Sequence, residues 1–168
     1  EGLFDADGYR TLTSDVVSHL VFTHQVAMTN LLTRASWQAR AADPALHPQF
    51  TPTPGEQARI AVMMNGVAKE VVDYLLFIDE ATLARPVRGQ SGFAERFSGS
   101  GPRDRKGRSL HELDLSRRLM KYPCSYLIYS AAFDALPPGA KEPIHRRLWE
   151  VLSGVERDDR YRSLSLAD

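Results

Sequence analysis

The chain has 168 residues, of which 43% are hydrophobic and 25% are charged, a composition typical of a globular domain. Its 21 basic and 21 acidic residues give no net charge, which argues against a general affinity for nucleic acid or for an acidic membrane surface. The single cysteine, Cys124, excludes an internal disulfide, and no apolar run approaches the roughly 20 residues of a transmembrane segment.

The first predicted helix runs from Thr13 to Ala42, and its apolar residues recur every three or four positions. This spacing places them on one face that packs against a core. The members of this face are Val17, Leu20, Val21, Met28, Leu31 and Ala35. Phe22, Val26 and Trp37 lie on the opposite side, which predicts that the helix is covered on two faces and central in the fold.

Four prolines between positions 44 and 54 predict an extended linker after this helix. The second helix begins with a capping box, Thr53–Glu56, which carries Pro54 at the first helical position. Residues 85–108 contain five glycines, two prolines, seven basic residues and two acidic residues, so their local net charge is +5. This composition predicts a long irregular basic loop.

A third predicted helix begins at another capping box, Ser109–Glu112. Because Pro123 interrupts it, we expect a kink or a break near Lys121. A fourth predicted helix occupies Pro138–Ser153, and Gly154 is a suitable residue to end it.

No segment shows the alternation that is typical of a β-strand. The sequence therefore predicts an all-α fold in a single domain over residues 1–168, a bundle of four main helices with the basic loop between helices 2 and 3. The chain begins without Met, and Ser165–Asp168 has the form of a helix cap with no helix after it. We expect these residues to be a portion of a longer protein.

His24 lies in the middle of the core-facing stripe of the first helix. A buried imidazole needs partners for its ring nitrogens, so His24 predicts a ligand, a metal or a hydrogen-bonding side chain. A metal site would combine His24 with Glu70, His111 and Cys124 from other helices. A core histidine held by hydrogen bonds is the alternative.

The sequence leaves the cofactor open. It contains no Cys-x-x-Cys-His motif, so this segment cannot attach a c-type haem covalently. A noncovalent haem with His24 and a methionine as axial ligands is chemically feasible. Methionines on a helical stripe more often fill a core, which makes haem the less favoured interpretation.

The basic loop carries arginines and a lysine next to glycine-rich strings, which can present guanidinium and backbone N–H groups to an anion. The loop lacks the Gly-x-x-x-x-Gly-Lys-Ser/Thr pattern of a P-loop. We therefore expect it to bind an acidic surface on the rest of its own polypeptide or on another subunit. The candidate residues are Arg88, Arg96, Arg103, Arg105, Lys106 and Arg108.

Four strings of the chain, Val21–Gln25, Asn30–Thr33, Pro86–Ala94 and Arg118–Ser130, carry a resemblance to known proteins. Together they resemble the C-terminal region of large uncharacterised exported bacterial proteins that are associated with c-type cytochromes. The resemblance implies a periplasmic or secreted location and a redox neighbourhood. It implies no activity and no functional residues.

These observations predict a non-catalytic helical module, with an interaction or structural role in a larger exported protein. Such a module should expose apolar surface where its partner packs. The alternative is a redox or metal-associated domain centred on His24. A hydrolase is the least supported reading, because the sequence shows no pairing of a nucleophile with a base. The oligomeric state stays open.

Overall fold

The computed structural model describes residues 14–49, 51–162 and 164. Helices dominate this part of the chain, and its only β-type pairing is a single antiparallel bridge between Leu113 and Met120. The α-helices are α1 (Val16–Ala41), α2 (Pro54–Leu75), α3 (Phe93–Ser100), α4 (Ala131–Asp134) and α5 (Pro138–Leu152), with 3-10 turns at Pro44–Leu46, Tyr126–Tyr129 and Asp159–Tyr161. The prediction of an all-α fold is confirmed.

Side-chain caps set the beginnings of the first two long helices. The carboxylate of Asp15 accepts the N–H groups of Val17 and Ser18 at 2.9 and 3.0 Å, so α1 begins at Val16. The predicted start at Thr13 lies outside the described residues, as does the cap-like Ser165–Asp168. The capping box at Thr53–Glu56 forms as predicted and begins α2.

The three long helices α1, α2 and α5 pack on one another and enclose the core. The pairs His24–Tyr74 and Arg34–Glu70 show that α2 runs antiparallel to α1. The start of α5 lies beside the end of α1, where a Cβ on Gly139 would be 3.6 Å from that of Ala39. Five of the largest side chains of the core are fully buried: Met28, Val71, Leu75, Met120 and Ile144.

The prediction that α1 is covered on two faces is wrong. Phe22, Val26 and Trp37 are 60%, 41% and 75% exposed to solvent. Only the face that carries Val21, Met28 and similar residues is buried. The second apolar face of α1 is left uncovered by the described residues.

The third long helix of the predicted bundle does not form, so the described chain has three long helices instead of four. Ser109 and Glu112 make their capping contacts, because the carboxylate of Glu112 accepts the N–H of Ser109 at 3.1 Å. The chain then reverses at Leu115, whose φ of 60° is incompatible with a continuing right-handed helix. The N–H of Lys121 donates back to the carbonyl of Glu112 at 2.9 Å, which closes the reversal.

The basic segment 85–108 is also more regular than predicted. After Gly92, whose φ is +71°, the chain forms the two-turn helix α3 (Phe93–Ser100). The predicted fourth helix is present as α5, and Gly154 follows it with a φ of +73°. No helix in the described ranges is both long enough and apolar enough to cross a bilayer.

Candidate functional site

The partner of His24 is the side chain of Ser125. The imidazole is 6% exposed, and its Nε2 lies 2.7 Å from the Oγ of Ser125, which is fully buried. The same Oγ accepts the backbone N–H of Leu127 at 3.2 Å. Its own O–H is therefore available to donate to a neutral imidazole. The N–H of Ser125 donates to the carbonyl of Leu75 at 2.7 Å, which ties this serine to the end of α2.

Aromatic rings surround the imidazole of His24. Tyr74 and Phe77 stack against it with centroid distances of 5.1 and 4.8 Å, and Tyr126 is tilted at 6.2 Å. Phe77 reaches this position with a φ of 54°, in the left-handed region that a bulky residue rarely adopts. Burial lowers the pKa of His24 to about 4, so the ring is neutral near pH 7.

The distance between Ser125 and His24 is that of a nucleophile and its general base, a pairing that sequence reasoning missed. No spacing could reveal it, because the two residues are 101 positions apart. The hydroxyl of Ser125 has no solvent-exposed surface, and backbone groups on both sides hold the residue. A substrate cannot touch this oxygen in the observed conformation, so the pair functions as a polar contact in the core.

The four predicted metal ligands are not brought together. Glu70 lies on the surface of α2, where it forms an ion pair with Arg34. Cys124 lines a surface cleft, and burial raises its pKa to about 11. His24 and His111 share only a contact with the ring of Tyr126. Within the described ranges, no group of three or more His, Cys, Asp or Glu residues could hold a metal ion.

A second aromatic cluster joins α3 to the core. The ring of Tyr126 packs against Phe97 at 5.1 Å and against His111 at 4.7 Å. Tyr126 Oη and His111 Nδ1 are buried without a hydrogen-bond partner among the described residues. Gly101 covers the imidazole of His111 so closely that a Cβ there would be 2.1 Å from Nδ1. The cluster therefore requires glycine at position 101.

The backbone of the basic segment does bind an anion, and that anion is the carboxylate of Asp15. Its Oδ2 accepts the N–H groups of Gln90 and Ser91 at 3.0 and 2.9 Å, and the hydroxyl of Ser91 at 2.7 Å. The hydroxyl and backbone N–H of Ser91 are the main reasons that the pKa of Asp15 lies well below its usual range. Gly89 permits this approach, since a Cβ there would be 2.8 Å from Oδ2.

The six predicted anion-binding residues divide into two groups. Three are engaged within the chain: Arg96 donates to the carbonyl of Ser91 at 3.0 Å, Arg103 to that of Gly107 at 2.7 Å, and Arg108 pairs with Asp104 at 2.8 Å. The other three are exposed and make no side-chain hydrogen bond or ion pair with the described residues: Arg88, Arg105 and Lys106.

The described residues form two surface depressions of more than about 600 Å³, which are large enough to receive a ligand or a side chain of a partner. The first, here called the Trp37 groove, has a volume of about 650 Å³ and lies between the end of α1, Leu46 and Ala132. The second, here called the arginine cleft, has a volume of about 670 Å³ and lies between Arg103, Arg108 and Leu152.

The chain matches no protein-family model. It also matches no curated protein and no solved structure at a significant level. A functional assignment therefore depends on the geometry of these surfaces.

Proposed function

We propose that this chain is a non-catalytic interaction module of a larger exported bacterial protein, and that its working surface is the exposed apolar face of α1. The partner is an acidic amphipathic helix, from the rest of the same polypeptide or from another subunit. The observation that carries this proposal is the exposure of Phe22, Val26 and Trp37, at 60%, 41% and 75%. Several large apolar side chains exposed on one side of a helix are typical of an interaction site.

These three residues mark a stripe along one side of α1. From Phe22 to Trp37 the helix rises by about 22 Å, and the three positions fall within about 60° of one another around the axis. The exposed Thr29 and Thr33 lie between them on the same side. A stripe of this length matches about four turns of a helix lying against α1.

The Trp37 groove continues the stripe at the end of α1. Its wall includes Trp37 itself, the 55% exposed Leu46 and two alanines of the α4 region, Ala132 and Ala135. Small alanine side chains beside a large exposed ring leave space for an apolar side chain of the partner. Tryptophans in such positions are frequently the residues that contribute most to binding.

The charges around the groove favour an acidic partner. Arg40 and His47 line it, and no acidic residue does so among the described residues. Opposite charges at the edge of an interface select a partner and accelerate association.

The location in this proposal is periplasmic or secreted, near redox proteins. Its support is the resemblance of the four strings described above to exported bacterial proteins. The exposed apolar face of α1 accords with a module that works inside a larger assembly.

The proposal can be tested by following the fluorescence of Trp37. The chain has two tryptophans, and a Trp149→Phe variant leaves Trp37 as the only one. A synthetic helical peptide with leucines on one face and glutamates beside it should shift the emission to the blue and protect Trp37 from acrylamide. A peptide with lysines in place of the glutamates should bind at least tenfold more weakly.

Substitutions on the stripe provide the specificity control. Phe22→Ser should weaken binding of the acidic peptide by about tenfold or more, since burial of a phenylalanine contributes about 1.5–3 kcal/mol. Val62→Ser, at a 73% exposed position on α2, should have no effect. Equal effects of the two substitutions, or an emission shift with phosphatidylcholine vesicles and not with the peptide, would overturn the proposal.

A further inference from the structure

The arginine cleft lies where the ends of two long helices meet the basic segment. Leu76 follows α2 directly and Leu152 is the last residue of α5, and both line the cleft. The rest of the described wall consists of residues 102–104, 108–110, 122–124, 129 and 164. A volume of about 670 Å³ is within the range of small-molecule sites, which is about 300–1,000 Å³.

Most of the wall of the cleft is apolar or aromatic. Leu76 is 2% exposed, and the more accessible Leu152 is 48% exposed. They are joined by Leu110, Pro123 and Tyr129, of which Tyr129 is 63% exposed. Water against such a wall has few hydrogen-bond partners, so an apolar ligand that displaces it gains the free energy of burial.

The charged side chains of the wall are already neutralised by partners within the chain. Nη1 of Arg103 lies 3.2 Å from a carboxylate oxygen of Glu112. Nε of Arg108 donates to Oδ2 of Asp104 at 2.8 Å, and Oδ1 of the same carboxylate accepts the backbone N–H of Arg108 at 2.9 Å. Every charge in the described wall therefore has a partner of opposite sign, and a charged ligand finds no unpaired ion there.

The remaining polar groups of the wall do not favour an ion either. Ser109 is 2% exposed, and its hydroxyl accepts the N–H of His111 at 3.2 Å. Burial raises the pKa of Cys124 to about 11, so its thiol is neutral near pH 7. A charged group placed against these residues would lose its hydration without gaining a charged partner.

From this arrangement we infer that the arginine cleft binds a small uncharged molecule of mainly apolar character, which lies against the leucine, proline and tyrosine side chains of the wall. An anionic ligand would have to displace Glu112 or Asp104 from an arginine. A cationic ligand would have to displace an arginine from its carboxylate. The ion pairs thus make the cleft selective for uncharged ligands.

The dye N-phenyl-α-naphthylamine is a suitable probe, because it is uncharged and its fluorescence increases in apolar surroundings. Its sulfonated analogue, anilinonaphthalenesulfonate, is the matched control, because it has the same rings and one negative charge. Fluorescence titration should show that the uncharged dye binds at least tenfold more tightly, since the sulfonate enters the cleft with the rings and loses hydration.

The single thiol supplies an independent readout in the same wall. A saturating concentration of the uncharged dye should slow alkylation of Cys124 by N-ethylmaleimide several-fold, as measured by intact mass.

Two exposed positions, one at the end of α5 and one just after it, provide matched variants. Leu152→Asp places a charge in the cleft at a 48% exposed position, and it should weaken binding of the uncharged dye by tenfold or more. Val155→Asp, at a 59% exposed position outside the lining, should leave binding unchanged.

Equal affinities of the two variants, equal affinities for the two dyes, or no protection of Cys124 would overturn the inference. The Phe22→Ser variant should bind the uncharged dye as tightly as the parent does. Failure here is therefore distinct from failure of the proposed helix interface.

Discussion

His24 and Ser125 come from distant parts of the chain and meet in the core, with 2.7 Å between Nε2 and Oγ. This contact joins the middle of α1 to the segment between the hairpin-like reversal and α4. Since Ser125 is also bonded to the carbonyl of Leu75 at the end of α2, one polar centre links three elements of the fold. The hydrogen bond supplies Nε2 of the imidazole, whose burial the sequence predicted, with a partner.

Replacement of Ser125 by alanine should leave the imidazole of His24 without its partner. A buried polar group that loses its hydrogen bond costs about 1–3 kcal/mol, so the free energy of unfolding should fall by that amount. Urea denaturation measures the change. Ser116→Ala, at an exposed position, is the control and should lie within about 0.5 kcal/mol of the parent. A Ser125→Ala variant as stable as this control would show that the His24–Ser125 hydrogen bond does not contribute to the stability of the fold.

The depressed pKa of His24 predicts a specific dependence of stability on pH. In the unfolded chain His24 titrates near 6.5, whereas in the folded chain its pKa is about 4. Below pH 6.5 the unfolded state therefore binds the proton first, and stability falls as the pH decreases from about 6.5 to about 4. The contribution of this residue over that window is about 3 kcal/mol.

Unfolding free energies of the parent and of His24→Leu at pH 7, 5.5 and 4.5 isolate this contribution. His111, whose pKa burial also lowers, contributes equally to both proteins and cancels in the comparison. The free energy of unfolding should decrease less steeply with falling pH in the variant than in the parent, whatever the absolute stability of the variant. Identical slopes in the two proteins would place the pKa of His24 near its ordinary value.

Replacement by alanine should have opposite effects on stability at two glycines, one within α3 and one directly after it. At Gly101 a Cβ would be 2.1 Å from the imidazole of His111, so Gly101→Ala should destabilise the fold by about 1–3 kcal/mol. At Gly99 a Cβ meets nothing within 4 Å, so Gly99→Ala should be neutral or stabilising by up to about 1 kcal/mol. Thermal denaturation of both variants checks this, and a neutral Gly101→Ala would disprove the close contact.

The junction between Asp15 and the basic segment makes a similar prediction for Gly89. A Cβ at this position would displace the carboxylate of Asp15, which accepts the N–H groups of Gln90 and Ser91. Gly89→Ala should lower Tm by about 2–4 °C. In an Asp15→Ala background the same substitution should have a smaller effect, because the carboxylate that the Cβ would displace is absent. Equal shifts in the two backgrounds would contradict the proposed contact.

The sequence predicted those parts of the fold that depend on local interactions. The beginning of α2 follows from the Thr53 capping box, and the end of α5 follows from Gly154. The core face of α1 follows from the spacing of its apolar residues. The predicted capping residues at Ser109 also form hydrogen bonds: the N–H of Ser109 donates to the carboxylate of Glu112, and the N–H of His111 donates to the hydroxyl of Ser109. They did not produce a helix, because the chain reverses at Leu115 through pairing between residues 112 and 121.

The candidate sites were harder to predict because they depend on contacts between distant residues. Asp15 and the glycine-rich string at Gly89 are about 75 positions apart, so no spacing in the sequence predicts that the carboxylate accepts N–H groups of this string. The same is true of Ser125 and His24. Exposure of Phe22 and Trp37 also has no local signal, since an apolar face looks the same in a sequence whether or not another helix covers it.

The proposed function requires the second face of α1 to bind an acidic helix. The most direct test is ¹⁵N-edited NMR of the isotopically labelled chain during titration with the leucine–glutamate peptide. If this face binds the peptide, shift changes should be concentrated in residues 22–40, 44–47 and 131–135. Changes confined to residues 102–110, or no changes at a saturating peptide concentration, would contradict it.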